Sequence, residues 1–283
     1  MILACRSGIP EVMDEVRRAA ASARQPGTVE AMHRDLGDLD RVERFVDELA
    51  EDGAQIDVAI LNAGVVPREA RRTQHGLDEQ VQVNFLANVL LVRRMLERGV
   101  IASGAYGGDR GDPDDVDADR ARPRVVFVSS ESHRSAPRLD VAALGSFHPW
   151  GMRDAVKEYG YSKLLLETWA AELSRRLPDV GVHTVCPGAV NTGIAREAPE
   201  WAKPALGATM KAFFKEPEVG AEPVVYLAAS RAIERETGIY LHVKRRRDRS
   251  DEANDPRNGK RLWDESERVL ARVGHAPATE GRR

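Results

Sequence analysis

The sequence predicts an α/β protein, a single domain built on one doubly wound parallel sheet. Three observations predict it. Short apolar runs rich in β-branched residues alternate along the chain with longer stretches of helical period. Those runs are apolar almost throughout, as strands covered on both faces must be. A chain of 283 residues, 42% of them hydrophobic, is also long enough to bury a sizeable core.

Ile2 to Cys5 reads as the first strand, and Glu11 to Arg24 as a helix with Val12, Val16, Ala19 and Ala23 on one face. Pro26-Gly27 breaks the chain before a second strand, Thr28 to Arg34. Asp40 followed three residues later by Glu43 reads as an N-cap, opening a helix with the apolar stripe Val42, Phe45, Val46 and Leu49. Asp57 to Leu61 is the third strand, and Gly76 to about Val100 a long helix. Val125 to Ser129 follows as a strand, Arg153 to Arg176 as a helix, Val182 to Cys186 as a strand. A short helix near Val219 to Ala229 precedes the last strand, Gly238 to Val243. Strand–helix repeats of this kind wind into a Rossmann-like sheet.

Residues 1–243 thus form the domain, with 103–123 an inserted acidic loop and 244–283 a charged tail. The loop's Asp115, Asp117 and Asp119 imitate the start of a calcium loop. Arg120 stands where such a loop needs Gly and Val126 where it needs a bidentate Glu, so calcium is not expected. The basic block Lys244-Arg245-Arg246-Arg247 is followed at once by Asp248, Asp251 and Glu252, which favours a solvated tail over a phosphate-binding patch.

Composition removes several function classes. With 42 Lys+Arg against 45 Asp+Glu, the net charge of -3 gives no electrostatic case for nucleic acid. The longest apolar runs fall far short of the ~20 residues of a membrane span. Arg6 interrupts the first apolar run too early for a secretory signal. Cys5 and Cys186 form no disulfide framework, and the seven histidines offer no metal pair at helical spacing. A cytoplasmic protein is expected.

The stretch Tyr159-Gly160-Tyr161-Ser162-Lys163 carries the chemistry. Tyr159 and Lys163 are four residues apart in a helix, so they share a face, while Tyr161 faces nearly the opposite way. An ammonium beside a phenol is expected to lower its pKa from ~10 and fit it for general acid–base work on an alcohol oxygen. Three strands end in residues suited to a ligand at the carboxyl edge of such a sheet. These are Ile60-Leu61-Asn62-Ala63-Gly64, Val125 to Ser130, and Cys186-Pro187-Gly188-Ala189-Val190-Asn191-Thr192. Asn84 lies on the helix between the first two. Each alone is a turn or a cap; together they occur in one strand–helix order.

From Met1 to Val243 this pattern resembles the short-chain dehydrogenase/reductase family, most of all its retinol-dehydrogenase-like and fungal oxidoreductase members. The resemblance implies a ketone or aldehyde interconverted with an alcohol, with a secondary-metabolite intermediate as one substrate. By resemblance Tyr159 is the acid–base, Lys163 lowers its pKa and holds the nicotinamide ribose, Ser130 binds the substrate carbonyl, and Asn84 holds a water of the proton relay. Asn62, Ala63 and Gly64 look like the segment beside adenosine, Asp35 like the acid that contacts adenine, and Val190 and Thr192 like residues touching the carboxamide. Many relatives pair through helices flanking the active site, so a homo-oligomer stays open.

Charge argues for NADP, because the first visible strand ends Ala4-Cys5-Arg6-Ser7, with an Arg where NAD sites place an acid. Phe147, Trp150, Trp201, Phe213 and Phe214 point to a hydrophobic substrate. His133, near Ser130, reads as a loop histidine in solvent. The family's opening strand and glycine-rich turn are not found, so the chain reads as starting at the family's second strand. As written it is then expected to bind NADPH poorly and to be unstable, and a catalytically impaired binding or regulatory relative is the competing reading.

Overall fold

The structure is a computed structural model describing residues 1–22, 27–103, 122–188 and 217–278. Its chain order is β1 (Ile2–Cys5), α1 (Ile9–Ala21), β2 (Glu30–His33), α2 (Leu39–Glu51) and β3 (Val58–Leu61). There follow α3 (Glu79–Val81), a π-helical turn (Gln82–Leu86), α4 (Ala87–Glu97), β4 (Arg124–Val128) and α5 (Ala155–Arg176). Then come β5 (Gly181–Cys186), α6 (Pro217–Ala229), β6 (Tyr240–His242), β7 (Arg245–Arg246), α7 (Asp251–Asn254) and α8 (Pro256–Arg272).

β1 pairs in parallel with β2, and β3-β4-β5-β6-β7 form a second hydrogen-bonded block, parallel except for the antiparallel β6–β7 pair. Among the described residues β1 and β3 each have one strand partner, and Val58 and Ile60 of β3 are 39% and 46% exposed.

Successive residues of a strand face opposite ways, so each strand sorts its side chains between two layers. Val125, Phe127 and Val182 pack into the larger core with α2, α4, α5 and α8. Val126 and Val185 face the smaller core with Leu227 of α6. The apolar-throughout strands follow from this double covering.

Local reading succeeds on α2, where Val42, Phe45, Val46 and Leu49 are all buried. Its cap is Asp38 rather than Asp40, with the Asp38 carboxylate accepting the Arg41 N–H at 3.2 Å. In α1 the buried residue is Met13, while Val12 is exposed. The long helix expected over 76–100 is divided by the π-turn. Asp78 starts it by accepting the N–H groups of Gln80 and Val81, and Asn84 lies inside the wider turn.

The segment expected to be a solvated tail carries β7, α7 and α8. Its basic block is neutralised by acids distant in sequence. Lys244 pairs with Glu222, Arg246 with Glu236 through two hydrogen bonds, and Arg247 with Glu131 at 3.0 Å. α8 lies against α5, with Trp263 stacked on Trp169 at 5.3 Å between ring centroids and the Arg176 guanidinium 4.3 Å over Trp263. The buried Arg93 of α4 pairs with Glu267 of α8 and, beyond that helix, donates to the His275 carbonyl at 2.6 Å. The inserted loop lies, at 104–121, outside the described residues.

Candidate active site

β4 ends at Val128, and two residues later Ser130 caps a 3-10 turn, Glu131–Ser135. The Ser130 Oγ accepts two hydrogen bonds from Ser132, from its N–H at 3.2 Å and from its hydroxyl at 2.9 Å. With its acceptor side engaged, the Ser130 proton is left to donate outward. That outward side faces Tyr159, whose phenol Ser130 draws downward in pKa.

Helix α5 brings Tyr159 there because Gly160 lets it approach closely. A Cβ on Gly160 would lie 2.7 Å from the Ser132 carbonyl oxygen. One turn further, Lys163 is buried with its Nζ 5.7 Å from the centre of the Tyr159 ring, donating to the Val128 carbonyl at 2.9 Å. Tyr161 turns away and gives its hydroxyl to the Asp140 carbonyl at 2.8 Å. Tyr159, Ser130 and Lys163 therefore meet at the carboxyl end of β4.

Asn84 joins them from the π-turn. Its Nδ2 donates to the Val65 carbonyl and to the Ser162 hydroxyl, each at 3.0 Å, and its Oδ1 accepts the Val65 N–H at 2.8 Å. The amide thus braces the loop after β3 against α5. Asn62, Ala63 and Gly64 begin that loop and are exposed. A Cβ on Gly64 would sit 3.4 Å from Asn84 Oδ1 and 3.7 Å from Lys163 Nζ, so the glycine leaves a cradle beside the ammonium.

The electrostatics correct one expectation. Burial pushes the Tyr159 phenol up to about 12, against a lowering from Ser130. Lys163 does not bring it down, because the ammonium is itself desolvated, to about 8, and turned to Val128. At neutral pH the phenol holds its proton and the amine is still mostly charged. That pairing is ready to give a proton.

The other residues named from sequence are more scattered. Arg6 is exposed in the turn between β1 and α1. Asp35, after β2, turns its carboxylate back to the Gly37 N–H at 2.9 Å. Val190 and Thr192 lie outside the described residues, as do Trp201, Phe213 and Phe214. Trp150 is buried and donates its indole N–H to Asp78 at 3.0 Å, so it supports the fold. His133 is buried rather than solvated, with its ring Nδ1 at 2.7 Å from the Ser130 carbonyl and its edge against Tyr240. Sequence reasoning passed over Ser132, Gly160, Glu167 and Arg249. The four-residue interval from Lys163 to Glu167 was the legible signal for one of them.

Asp38, Asp40 and His75 bring possible ligand atoms within 4.8 Å of one another. Asp38 accepts the Arg41 N–H and His75 Nε2 the Leu39 N–H, so the cluster's work is to cap α2.

No family model matches the chain. Among known proteins it is 29% identical to retinol dehydrogenase 13 of Homo sapiens, over 95% of this chain and 76% of that one. It is 30% identical to dehydrogenase/reductase SDR family member 13 of Bos taurus, over 97% of this chain and 67% of the relative. The chain belongs to the short-chain dehydrogenase/reductase family. Its fold matches that of a short-chain dehydrogenase from Burkholderia cenocepacia solved in complex with NADP, with a TM-score of 0.54 and 20% identity over 85% of this chain and 84% of that one. Like the other dehydrogenases of the family, it is an oxidoreductase. Among the described residues no helix is long and apolar enough to cross a membrane.

Proposed function

We propose that this dehydrogenase uses NADP to interconvert a hydrophobic ketone or aldehyde and its alcohol, with Tyr159 as the acid–base. The observation that carries the reading is the meeting of three side chains at one strand end: a phenol beside Ser130, with the Lys163 ammonium one helical turn away. The retinol dehydrogenase likeness supports an apolar substrate, and a secondary-metabolite carbonyl is of the same class.

When bound, NADP supplies or accepts the hydride at its nicotinamide. The residues present fit its nicotinamide and adenosine ends, while the sequence holds no glycine-rich turn for its pyrophosphate. The Gly64 cradle leaves room beside Lys163, whose one acceptor among the described residues, Val128, leaves N–H groups for ribose hydroxyls. Asn62 and Ala63 extend the same exposed loop, with Asp35 and Arg6 at the ends of β2 and β1 and Arg6 suited to a 2′-phosphate. Val190 and Thr192 complete the set by resemblance.

Ser130 donates its free proton to the carbonyl oxygen and orients it. Tyr159, protonated at neutral pH, delivers a proton to that oxygen as the alcohol forms, and takes it back in the reverse direction. The phenolate left behind draws the Lys163 ammonium, one turn away, from the Val128 carbonyl toward itself. Asn84 keeps the β3 loop in register with α5 and is the anchor for a water leading to Lys163. Tyr159→Phe is expected to lower kcat by at least ~10²-fold, the lower range of general acid–base contributions, with an unchanged circular dichroism spectrum and Tm. Full activity in that variant, with NADPH and a panel of hydrophobic aldehydes, rejects the assignment.

A further inference from the structure

Helix α5 places Tyr159, Lys163 and Glu167 at successive four-residue intervals, and the last two are buried at 3% and 0% exposure. A buried carboxylate one turn from a buried ammonium is costly unless each answers the other or a third group. Glu167 Oε2 is fully answered. It accepts the Thr184 hydroxyl at 2.9 Å and the Arg249 Nε at 2.9 Å. Arg249 is fixed in turn by Thr184 at 3.1 Å and by the Gly238 carbonyl at 2.8 Å. The second carboxylate oxygen, Oε1, is buried with no hydrogen-bond partner among the described residues.

We propose that Glu167 is a positioning residue that keeps Lys163 charged at working pH, and that Arg249, delivered from the segment after β6, sets how much of the carboxylate's charge Lys163 feels. The proposal rests on the reading of Lys163 as the partner of Tyr159. Burial lowers Lys163 to about 8, and the Glu167 carboxylate is the largest influence opposing that burial. The other titratable groups around this set are Tyr159 on α5, Cys186 at the end of β5, Tyr240 on β6, Glu131 on the turn after β4 and His183 on β5. Both buried phenols are pushed upward and the thiol likewise, so all three stay neutral near pH 8. Glu131 is answered by Tyr240, Arg134 and Arg247, and His183 is held to about 4, so Glu167 is the anion that holds the ammonium and Arg249 the cation that competes for it.

The two partners act with opposite sign. Glu167→Gln keeps the shape and still accepts from Thr184 and Arg249, but removes the anion. Arg249→Gln removes the competing cation. The test is a pH titration of the Lys163 Nζ by NMR in full-length protein labelled with 15N-lysine, which needs no turnover. Lys163→Arg assigns the signal. The midpoint is expected to fall by roughly one pH unit or more in Glu167→Gln and to rise in Arg249→Gln. The alkaline limb of kcat/KM is expected to move with it.

An unchanged Lys163 midpoint in Glu167→Gln, or shifts of the same sign in both variants, overturns the proposal. If Arg249→Gln does not fold, the Glu167→Gln shift alone decides. A shifted midpoint with no effect on the activity profile leaves the electrostatics standing and rejects Lys163 as the partner of Tyr159. An active Tyr159→Phe rejects the catalytic reading separately.

Discussion

Gly160 is the most demanding position of the site, and Gly160→Ala tests how tightly the site is built. The added Cβ would meet the Ser132 carbonyl oxygen at 2.7 Å, roughly 0.7 Å inside ordinary contact, with the Ala136 Cα already in ordinary contact at 3.8 Å. Neither neighbour is a flexible side chain, so the start of α5 must withdraw from the 131–135 turn by some tenths of an ångström. Overpacking of this kind costs about 1–3 kcal/mol, a fall of about 2–10 °C in Tm for a domain of this size. The withdrawal also pulls Tyr159 from Ser130. A misplacement near 1 Å costs about 10²-fold, so kcat/KM is expected to fall about 10- to 100-fold, chiefly in kcat. The assay is NADPH oxidation with a hydrophobic aldehyde, alongside thermal unfolding. Gly151→Ala is the control, because nothing lies within 4 Å of its Cβ position, and it should change neither quantity. Wild-type kcat/KM in Gly160→Ala would mean that the contact between α5 and the Ser130 turn does not position the phenol.

Cofactor choice is expected to rest on Arg6. Arg6→Ala should reduce the ratio of kcat/KM for NADPH over NADH by about 10- to 100-fold, the worth of a charge-assisted hydrogen bond, and an unchanged ratio removes Arg6 from the site. Acid stability is expected to depend on His183, which is buried, has neither ring nitrogen hydrogen-bonded among the described residues, and is pushed down to about 4 by burial and by Arg124, Arg122 and Arg249. In the unfolded chain it titrates near 6.5, so the unfolded state binds the extra proton first as pH falls. Stability is therefore lost between about pH 6.5 and 4, on the order of 3 kcal/mol in all. Denaturant titrations of His183→Met across that window should lack this loss; an identical pH slope would assign it to the carboxylates.

What the sequence revealed and what it hid divide along physical lines. β4 was legible because a strand covered on both faces must be apolar at every position, and Val125, Val126 and Phe127 are all fully buried. The Tyr159–Lys163 face was legible because helix periodicity is local. The acidity of Tyr159 was not, since it depends on burial and on the Val128 carbonyl that draws the ammonium away. The last segment was misread because its charges are answered from far along the chain, Arg247 by Glu131 and Arg93 by Glu267. A signal was nevertheless there. Leu262, Ser266, Val269 and Leu270 form one buried stripe behind an Asp255-Pro256 helix start, and it was overlooked among the surrounding charges.

The bond from Arg249 to Glu167 spans 82 residues. During synthesis the ribosome must therefore make all of β5, α6 and β6 before the cation reaches the carboxylate it neutralises. Until then the cation answering Glu167 is the Lys163 ammonium of the same helix, and Trp169 lacks the Trp263 ring that covers it. Activity is thus acquired late, when the last helix docks, and shortening the polypeptide ahead of Arg249 should yield a nascent sheet without a working catalyst.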